Sequence, residues 1–402
     1  MKALVSNIGS TSFKFRLFDM SAGEREIASG GADRIGGSGS VLKVKMASGP
    51  RETARDFADH GAAIVAVLEQ LQQGGALTNV ADLDVVAFKA VMAGDVEPIC
   101  IVDDELLAKM EYFVPIAPAH NPAYIAAMRM FRQALPGTPL VAAFEPGFHR
   151  TIPERRRLYA VPPQWASKYG IKRYGFHGAS HRYIATRTLE LQPSARRIIS
   201  CHLGGSSSIS AIVDGQSVAN SFGLSPQSGL PQTNRAGEFD PFAFDLLQRA
   251  AGMTAAQVLK ELGSGGGFAA LSGTSGDIRD LLTAIASGSA DAKLALDVFT
   301  TAVRDFIGAY LVEMGGCDAL VFTGGIGQYN PSVRADILKG LAFAGLTMDE
   351  AKNAAAGETI RGETRIDAPT SKAALWVMPT NEELVVARQA VEFLRKNTQQ
   401  NS

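Results

Sequence analysis

One pattern occurs twice in this chain and limits its fold more than any other feature. Residues 3–5 form a short apolar strand that enters a polar turn beginning at Asn7-Ile-Gly-Ser-Thr-Ser12. The chain leaves that turn as a strand alternating Phe13, Phe15 and Leu17 with Lys14 and Arg16. Far along the sequence, the apolar run at 197–203 enters Gly204-Gly205-Ser206-Ser207-Ser208 and leaves through Ile-Ser-Ala-Ile-Val-Asp-Gly215. Asn7-Ile-Gly-x-x-Ser leads to Asp19 at the spacing by which His202-Leu-Gly-x-x-Ser leads to Asp214. The alternation after the two turns differs in phase by one residue, so a bulge or a loose match is expected in one copy. Paired phosphate-gripping hairpins would explain why both turns carry small residues, since Gly and Ser let backbone amides approach phosphate oxygens.

The rest of the chain alternates strands and helices. Residues 85–91, 139–145 and 318–324 read as buried strands, the last ending in Thr323-Gly-Gly-Ile-Gly327. Residues 54–73, 104–112, 122–134, 290–315 and 381–396 read as helices, followed by a frayed tail. Such alternation argues α/β layers, and 402 residues suggest two domains. A net charge of −1 without a basic stripe argues against nucleic acid or an anionic membrane as partner. No signal peptide or membrane-length apolar run is evident, so a cytoplasmic location is expected. Cys100, Cys201 and Cys317 lack metal or redox spacing and read as small buried hydrophobes.

Several side chains could carry chemistry. No GxxxxGK[ST] loop is present, so phosphate binding would rest on the three strand-end turns. His177 and His181 lie four apart in Lys172-Arg-Tyr-Gly-Phe-His-Gly-Ala-Ser-His181. Zinc would need a third ligand that nothing nearby supplies. A structural role competes with one in which histidine stabilises developing negative charge. Arg235 lies in a polar loop before a helix that Asp240-Pro241 could start; it would pair with Glu238 or Asp240, or neutralise phosphoryl oxygens. Glu145 and Glu382 stand at element ends, where a carboxylate is usually a solvated charge or a cap.

Together these segments resemble the acetate kinase family, of the actin/Hsp70/sugar-kinase superfamily. The resemblance runs collinearly along the chain through NIGSTSFKF, APAHNP, YGFHGASH, HLGGSSSISAIVDG, NRAGEFDP, LSGTSGDIRD, FTGGIG and PTNEEL. It implies an α/β protein of two duplicated actin-like ATPase-type (ribonuclease H-like) domains with a ligand cleft between them. Residues 1–148 would form the N-terminal domain, completed by the C-terminal helix 384–402; residues 149–383 would form the nucleotide-binding domain. Asn7 and Glu382 match the Mg²⁺-associated positions. Ser10, Ser12, Lys14, His202, Gly204 and Gly205 match the phosphate-binding hairpins. Asp277 and Arg279 would flank the adenosine of ATP or ADP, and Gly325 and Ile326 would line the adenine pocket. His177 and Arg235 match the groups that stabilise and clamp the transferring phosphoryl. Val91, Ala119, Phe176 and Pro226 match the acyl pocket. A homodimer is implied by the family alone.

Three positions depart from the family pattern. Lys89 stands where an arginine is usual, keeping the charge but losing the bidentate fork. Glu145 replaces an aspartate, and Ala119 replaces a pocket leucine. The expected reaction is reversible, Mg²⁺-dependent transfer from ATP to acetate or propionate, with Lys89, Glu145, His177 and Arg235 as catalytic groups. Positive charge and Mg²⁺ would offset repulsion between two anions, and no general base is needed because the acid is already ionised. Ala119 also admits a longer or branched acid such as butyrate. Lys89 and Glu145 also admit a catalytically weak nucleotide-binding regulatory protein on the same fold.

Overall fold

A computed structural model describes residues 1–9, 11–21, 23–358 and 362–400. The chain divides into two compact units, residues 1–147 with the chain from Asn381 onward, and residues 148–380.

The first unit is built on strands β1 (Lys2–Ile8), β2 (Ser12–Asp19), β3 (Arg25–Asp33), β4 (Val41–Met46), β5 (Gly49–Ala54), β6 (Val85–Ala90), β7 (Ile99–Ile101) and β8 (Leu140–Phe144), in the order β5-β4-β3-β2-β1-β6-β8-β7. The second holds β9 (Arg197–Leu203), β10 (Ser207–Val213), β11 (Gln216–Asn220), β12 (Ala319–Thr323), β13 (Thr364–Arg365) and β14 (Ala374–Val377), in the order β11-β10-β9-β12-β14-β13. The plan is the same in each. A central strand (β1 or β9) pairs antiparallel with its hairpin partner on one side. On its other side run two parallel strands, β6 and β8 or β12 and β14, closed by an antiparallel edge strand. The fold is therefore α/β with one strand plan used twice, as the repeated hairpin led us to expect.

The phase difference between the two copies has a plain cause. Ile8 pairs with Phe13 across the first turn, whereas Leu203 pairs with Ser207 across the second. The first loop is one residue longer, which shifts every later side chain to the other face.

Two sequence expectations are corrected at their edges. The helix read over 54–73 begins only at His60, because residues 49–54 form β5; Asp59 caps it by accepting from Ala62 N–H at 2.9 Å. The final helix runs Glu382–Gln400, so the tail read as frayed is helical through Gln400. That helix packs on β1, β6 and β8 and returns Glu382 to the first unit. In the second unit the long helix Ala290–Met314 packs Phe299, Val303 and Ile307 against Ile199, Cys201 and Ile209 of the sheet. Among the described residues no helix is long and apolar enough to cross a membrane, and Cys100, Cys201 and Cys317 are all free.

Candidate active site

In open α/β sheets, ligands bind beyond the carboxyl ends of parallel strands. The singled-out residues lie there. Asn7 and Lys89 are the penultimate residues of β1 and β6, and Glu145 follows β8 directly.

In the first unit Lys89 is a counter-ion to two carboxylates. Its Nζ lies 2.5 Å from Glu382 Oε2 and 3.9 Å from Glu145 Oε1. Burial alone would depress the lysine pKa, but Glu382 and then Glu145 outweigh it and hold the ammonium above its ordinary value. Glu145 is only 5% exposed, so the reading of a solvated surface charge or simple cap is corrected. The two departures from the family pattern, Lys89 and Glu145, thus sit side by side: a shorter cation meets a longer carboxylate.

Tyr124 completes this cluster, and sequence reasoning missed it. Its hydroxyl donates to Asn7 Oδ1 at 3.1 Å and accepts from Ile8 N–H at 3.2 Å. Burial pushes its pKa up to about 12, with Lys89 pulling the other way and Glu145 and Glu382 adding to the rise. The phenol therefore stays protonated and fixes the Asn7 amide. Only its position in the Ala-Tyr-Ile-Ala face of the helix Asn121–Ala134 could have pointed to it. Tyr124→Phe should cost about 1–3 kcal/mol, because Asn7 Oδ1 and Ile8 N–H both lose their partner. Urea unfolding of the variant checks this.

The donor set suits Mg²⁺. Asn7, Glu145 and Glu382 offer only hard oxygen atoms, and among the described residues no group of three or more His, Cys, Asp or Glu could hold an ion alone. Mg²⁺ commonly takes one or two carboxylates and completes its shell with phosphate and water.

Around the first turn, Ser10 lies outside the described residues. Ser12 O accepts from Gly9 N–H at 2.8 Å, and His60 Nε2 lies 2.9 Å from Gly9 O, a further support that the sequence did not disclose. Lys14 is exposed, directly across the ladder from Asn7. Asn121 is buried and donates to Met92 O and Met110 O, each at 2.8 Å. It ties the segment that carries Val91 (buried) to the helical layer beside Ala119 (exposed).

In the second unit the loops at the ends of β9 and β12 lie together: a Cβ on Gly204 would stand 3.9 Å from Gly325 N. Gly324 has φ +77° and approaches so closely that a Cβ would meet Leu203 O at 2.5 Å, so only glycine fits. Gly325 is exposed with open space over it, while Ile326 points into the core.

Gln232, fully buried and also missed from sequence, organises the arginine loop. Its Oε1 accepts from Ser206 Oγ at 2.7 Å and from Arg235 Nη1 at 3.2 Å; its Nε2 donates to Pro226 O at 3.0 Å. Arg235 Nη1 also reaches Pro226 O at 3.0 Å and Ser206 Oγ at 3.3 Å. All these partners are neutral, and the alternative in which Glu238 or Asp240 pairs with it is not realised; Asp240 accepts from Phe242 N–H instead. Burial alone lowers the Arg235 pKa, with no carboxylate to raise it again. Among the described residues no carboxylate pairs with Arg235, which leaves its charge available to an anion. Gly205 O accepts from Thr233 at 2.9 Å, which anchors that loop. Asp277 and Arg279 are a mutual pair (Nη2 to Oδ2, 2.7 Å) at the start of the helix Ile278–Ala286, and the guanidinium holds the Asp277 carboxyl down at about 2.

His177 has φ +56°, left-handed and uncommon for a residue other than glycine, at the head of the helix Gly178–Leu191. Its ring stacks on His202 at 4.1 Å, and its Nδ1 lies 2.8 Å from Ser208 Oγ. Phe176 packs edge-on to Phe222 just before it. His149, buried behind the cluster, lies 2.8 Å from Ser217 Oγ and 2.9 Å from Phe176 O.

A model of the acetokinase family matches residues 2–388. The acetate kinase of Carboxydothermus hydrogenoformans is 40% identical over 401 residues, 98% of this chain and 99% of its own. The chain belongs to the acetokinase family. Among solved structures, the Porphyromonas gingivalis acetate kinase is similar at TM-score 0.86 and 34% identity, covering 98% of this chain and 99% of that one. A propionate kinase from Francisella tularensis is similar at TM-score 0.88 and 30% identity, covering 96% and 98%. Membership makes this chain a phosphotransferase whose acceptor is a carboxyl group.

One acid-sensitive element is built into this acetokinase. Burial lowers the His149 pKa from 6.5 to about 4. The unfolded chain then binds more protons than the folded one between those values, so stability is full above about 6.5 and is lost as pH falls to about 4. The loss from this group is about 3 kcal/mol, and His181, also lowered by burial, adds to it. Urea midpoints taken from pH 7 to pH 4 should fall steeply in this window.

Proposed function

We propose that this protein is an acetate or propionate kinase, transferring the γ-phosphoryl of Mg²⁺-ATP directly and reversibly to a short-chain carboxylate. The observation that carries the proposal is Arg235 without a counter-ion, set against the glycine loop at 204–206 with the second glycine turn of 324–327 beside it. Such an arrangement suits an oxyanion such as a phosphoryl group.

In this reading the second unit holds the nucleotide. The loops at Gly204, Gly205 and Gly325 take the phosphates with His202; Asp277 and Arg279 flank the adenosine, and Ile326 backs the adenine site. Arg235 neutralises the equatorial oxygens, and His177 donates a hydrogen bond to the same group. In the first unit Asn7, Glu382 and Glu145 would hold Mg²⁺, directly or through water. When bound, the ion supplies charge neutralisation and aligns the phosphates. Ser10, Ser12 and Lys14 contribute to phosphate binding. Lys89 holds Glu382 and Glu145 in place and adds positive charge for the acceptor anion. Val91 and Ala119 are the acyl-binding residues of the first unit, Phe176 and Pro226 those of the second, and an alanine in place of the usual leucine suits an acid longer than acetate.

A cytoplasmic location and a homodimer belong to the proposal. The helix Ala243–Ala251 supports the dimer: none of its residues is buried in the single chain, and Phe242 at its head is 83% exposed.

The acceptor is tested by trapping the product with hydroxylamine in the presence of Mg²⁺-ATP and acetate, propionate or butyrate. Hydroxamate from acetate and propionate is expected. A preference for butyrate would assign Ala119 to a longer acid, and ATP binding without hydroxamate from any acid would favour the regulatory reading.

A further inference from the structure

Behind His177 lies a hydrogen-bonded chain that the reaction scheme above leaves without a task. Ser208 Oγ stands between two ring nitrogens, His177 Nδ1 at 2.8 Å and His181 Nε2 at 2.9 Å. His181 Nδ1 in turn lies 2.9 Å from Ser200 Oγ. Ser200, Ser208 and His181 are all fully buried.

With the Ser208 proton given to one imidazole and the other imidazole donating to Ser208, this chain has two arrangements in which His177 keeps an Nε2–H. In the first arrangement Ser208 donates to His177 Nδ1, and the neutral His177 carries its proton on Nε2. His181 then carries its proton on Nε2, donating to Ser208, and accepts from Ser200 at Nδ1. In the second, His177 is a cation with protons on both nitrogens, and its Nδ1–H donates to Ser208. Ser208 now donates to His181 Nε2, and His181 carries its proton on Nδ1, toward Ser200. The two arrangements differ by one proton exchanged with solvent. In both, His177 has an Nε2–H; in a third, neutral His177 donates from Nδ1 to Ser208, His181 again carries its proton on Nδ1, and His177 Nε2 is left bare.

We propose that Ser208 and His181 are positioning residues for His177: Ser208 donates to the neutral His177 at Nδ1, so that His177 keeps an Nε2–H donor for the transferring phosphoryl group in both charge states, and the tautomer of His181 follows the charge on His177. The donor half of this statement rests on the kinase reading above; the tautomer coupling does not. Without Ser208, the hydrogen bond donated to Nδ1 is lost, a fraction of neutral His177 carries its proton there, and that fraction lacks the donor.

The surroundings favour this behaviour. The His177 ring faces His202 at 4.1 Å, the edge of Phe222 at 5.4 Å and His181 at 6.4 Å. His202 is itself oriented by Ser180 Oγ, 2.8 Å from its Nδ1. His181 faces His149 at 5.8 Å and His202 at 6.4 Å, and Arg182 acts on His149. Burial first, then His149 and His202, keep His181 from charging. It therefore holds one proton and must choose a nitrogen.

The test uses the full-length protein labelled with ¹⁵N-histidine, whose six imidazoles are few enough to assign. Nitrogen shifts are followed from pH 5 to pH 9 in the wild type and in Ser208→Ala, alongside kcat and KM. We expect the His181 proton to move from Nε2 to Nδ1 as the pH falls through the His177 titration, and this link to vanish in Ser208→Ala. On the alkaline side of that titration the wild-type kcat should stay level, while Ser208→Ala falls about tenfold, the size of one charge-assisted hydrogen bond. Its KM should stay within about twofold, and Ser208→Thr, which keeps the hydroxyl, should recover the rate. A wild-type His181 that keeps one tautomer on both sides of the His177 titration overturns the proposal, even if no variant folds. An alkaline limb in Ser208→Ala identical to the wild type overturns it as well. A wild type inactive toward every short-chain acid overturns the kinase reading, and with it the donor role, whatever the tautomers do.

Discussion

Lys89→Met is expected to destabilise the first unit by about 3–5 kcal/mol and to abolish measurable turnover. The methionine matches the lysine stem in length but leaves Glu145 and Glu382 facing one another across the vacated ammonium. Those side chains are 5% and 13% exposed, so water cannot restore what is lost. The variant would relieve the strain by protonating one carboxyl, which raises a folded-state pKa above its unfolded value. Stability then falls as pH rises, and the defect should be larger at pH 8 than at pH 5. In the wild type the sign is the same but the window differs. The lysine pKa is raised, so its contribution is complete below about 10.5 and is lost only above that. Lys89→Arg keeps the charge and should retain most of the stability. Urea unfolding of the three proteins at both pH values measures this, and a methionine variant as stable as its parent would remove Lys89 from its place as counter-ion.

Arg235→Ala should do the opposite, lowering kcat by about a thousandfold while costing under about 1 kcal/mol of stability. Arginines that neutralise a transferring phosphoryl contribute on this scale. The small structural cost follows from the partners of Nη1, which are neutral oxygens of Gln232, Pro226 and Ser206. Gln232 still has Ser206 as donor after the change. An unchanged kcat would place the phosphoryl clamp on another residue.

These two predictions differ in how far the sequence disclosed them. Arg235 could be singled out from its polar loop, although pairing with Glu238 or Asp240 was open there, and its partners in the structure lie close in sequence. The role of Lys89 as counter-ion was not legible. Its contact with Glu382 exists only because the C-terminal helix returns to β1, β6 and β8, and no local spacing signals such a return. Gln232 and Tyr124 escaped for a related reason. Each is an ordinary helix or loop residue until folding brings Ser206 or Asn7 to its hydrogen-bonding end.

The fold itself was easier to read. Hairpins with small-residue turns and all-apolar strands such as β12 announce themselves through local pattern. The meander β3–β5 did not, since β3 contains Gly30 and Gly31 where a strand usually carries branched residues. The glycine at 31 reflects crowding: a Cβ there would stand 2.5 Å from Phe13 O on the neighbouring strand. The phase slip between the two hairpins was visible in the alternation, but its cause, one extra residue in the first loop, needed the registers of both ladders.

The central claim is that this chain moves a phosphoryl group onto a carboxylate, and phosphorus-31 NMR tests it most directly. Purified protein incubated with ATP, Mg²⁺ and acetate or propionate should build an acyl phosphate resonance as the ATP γ-signal declines. Supplying acyl phosphate and ADP should regenerate ATP, and withholding Mg²⁺ should stop both directions. Loss of the γ-signal into inorganic phosphate alone, or no change with either acid, would contradict the account.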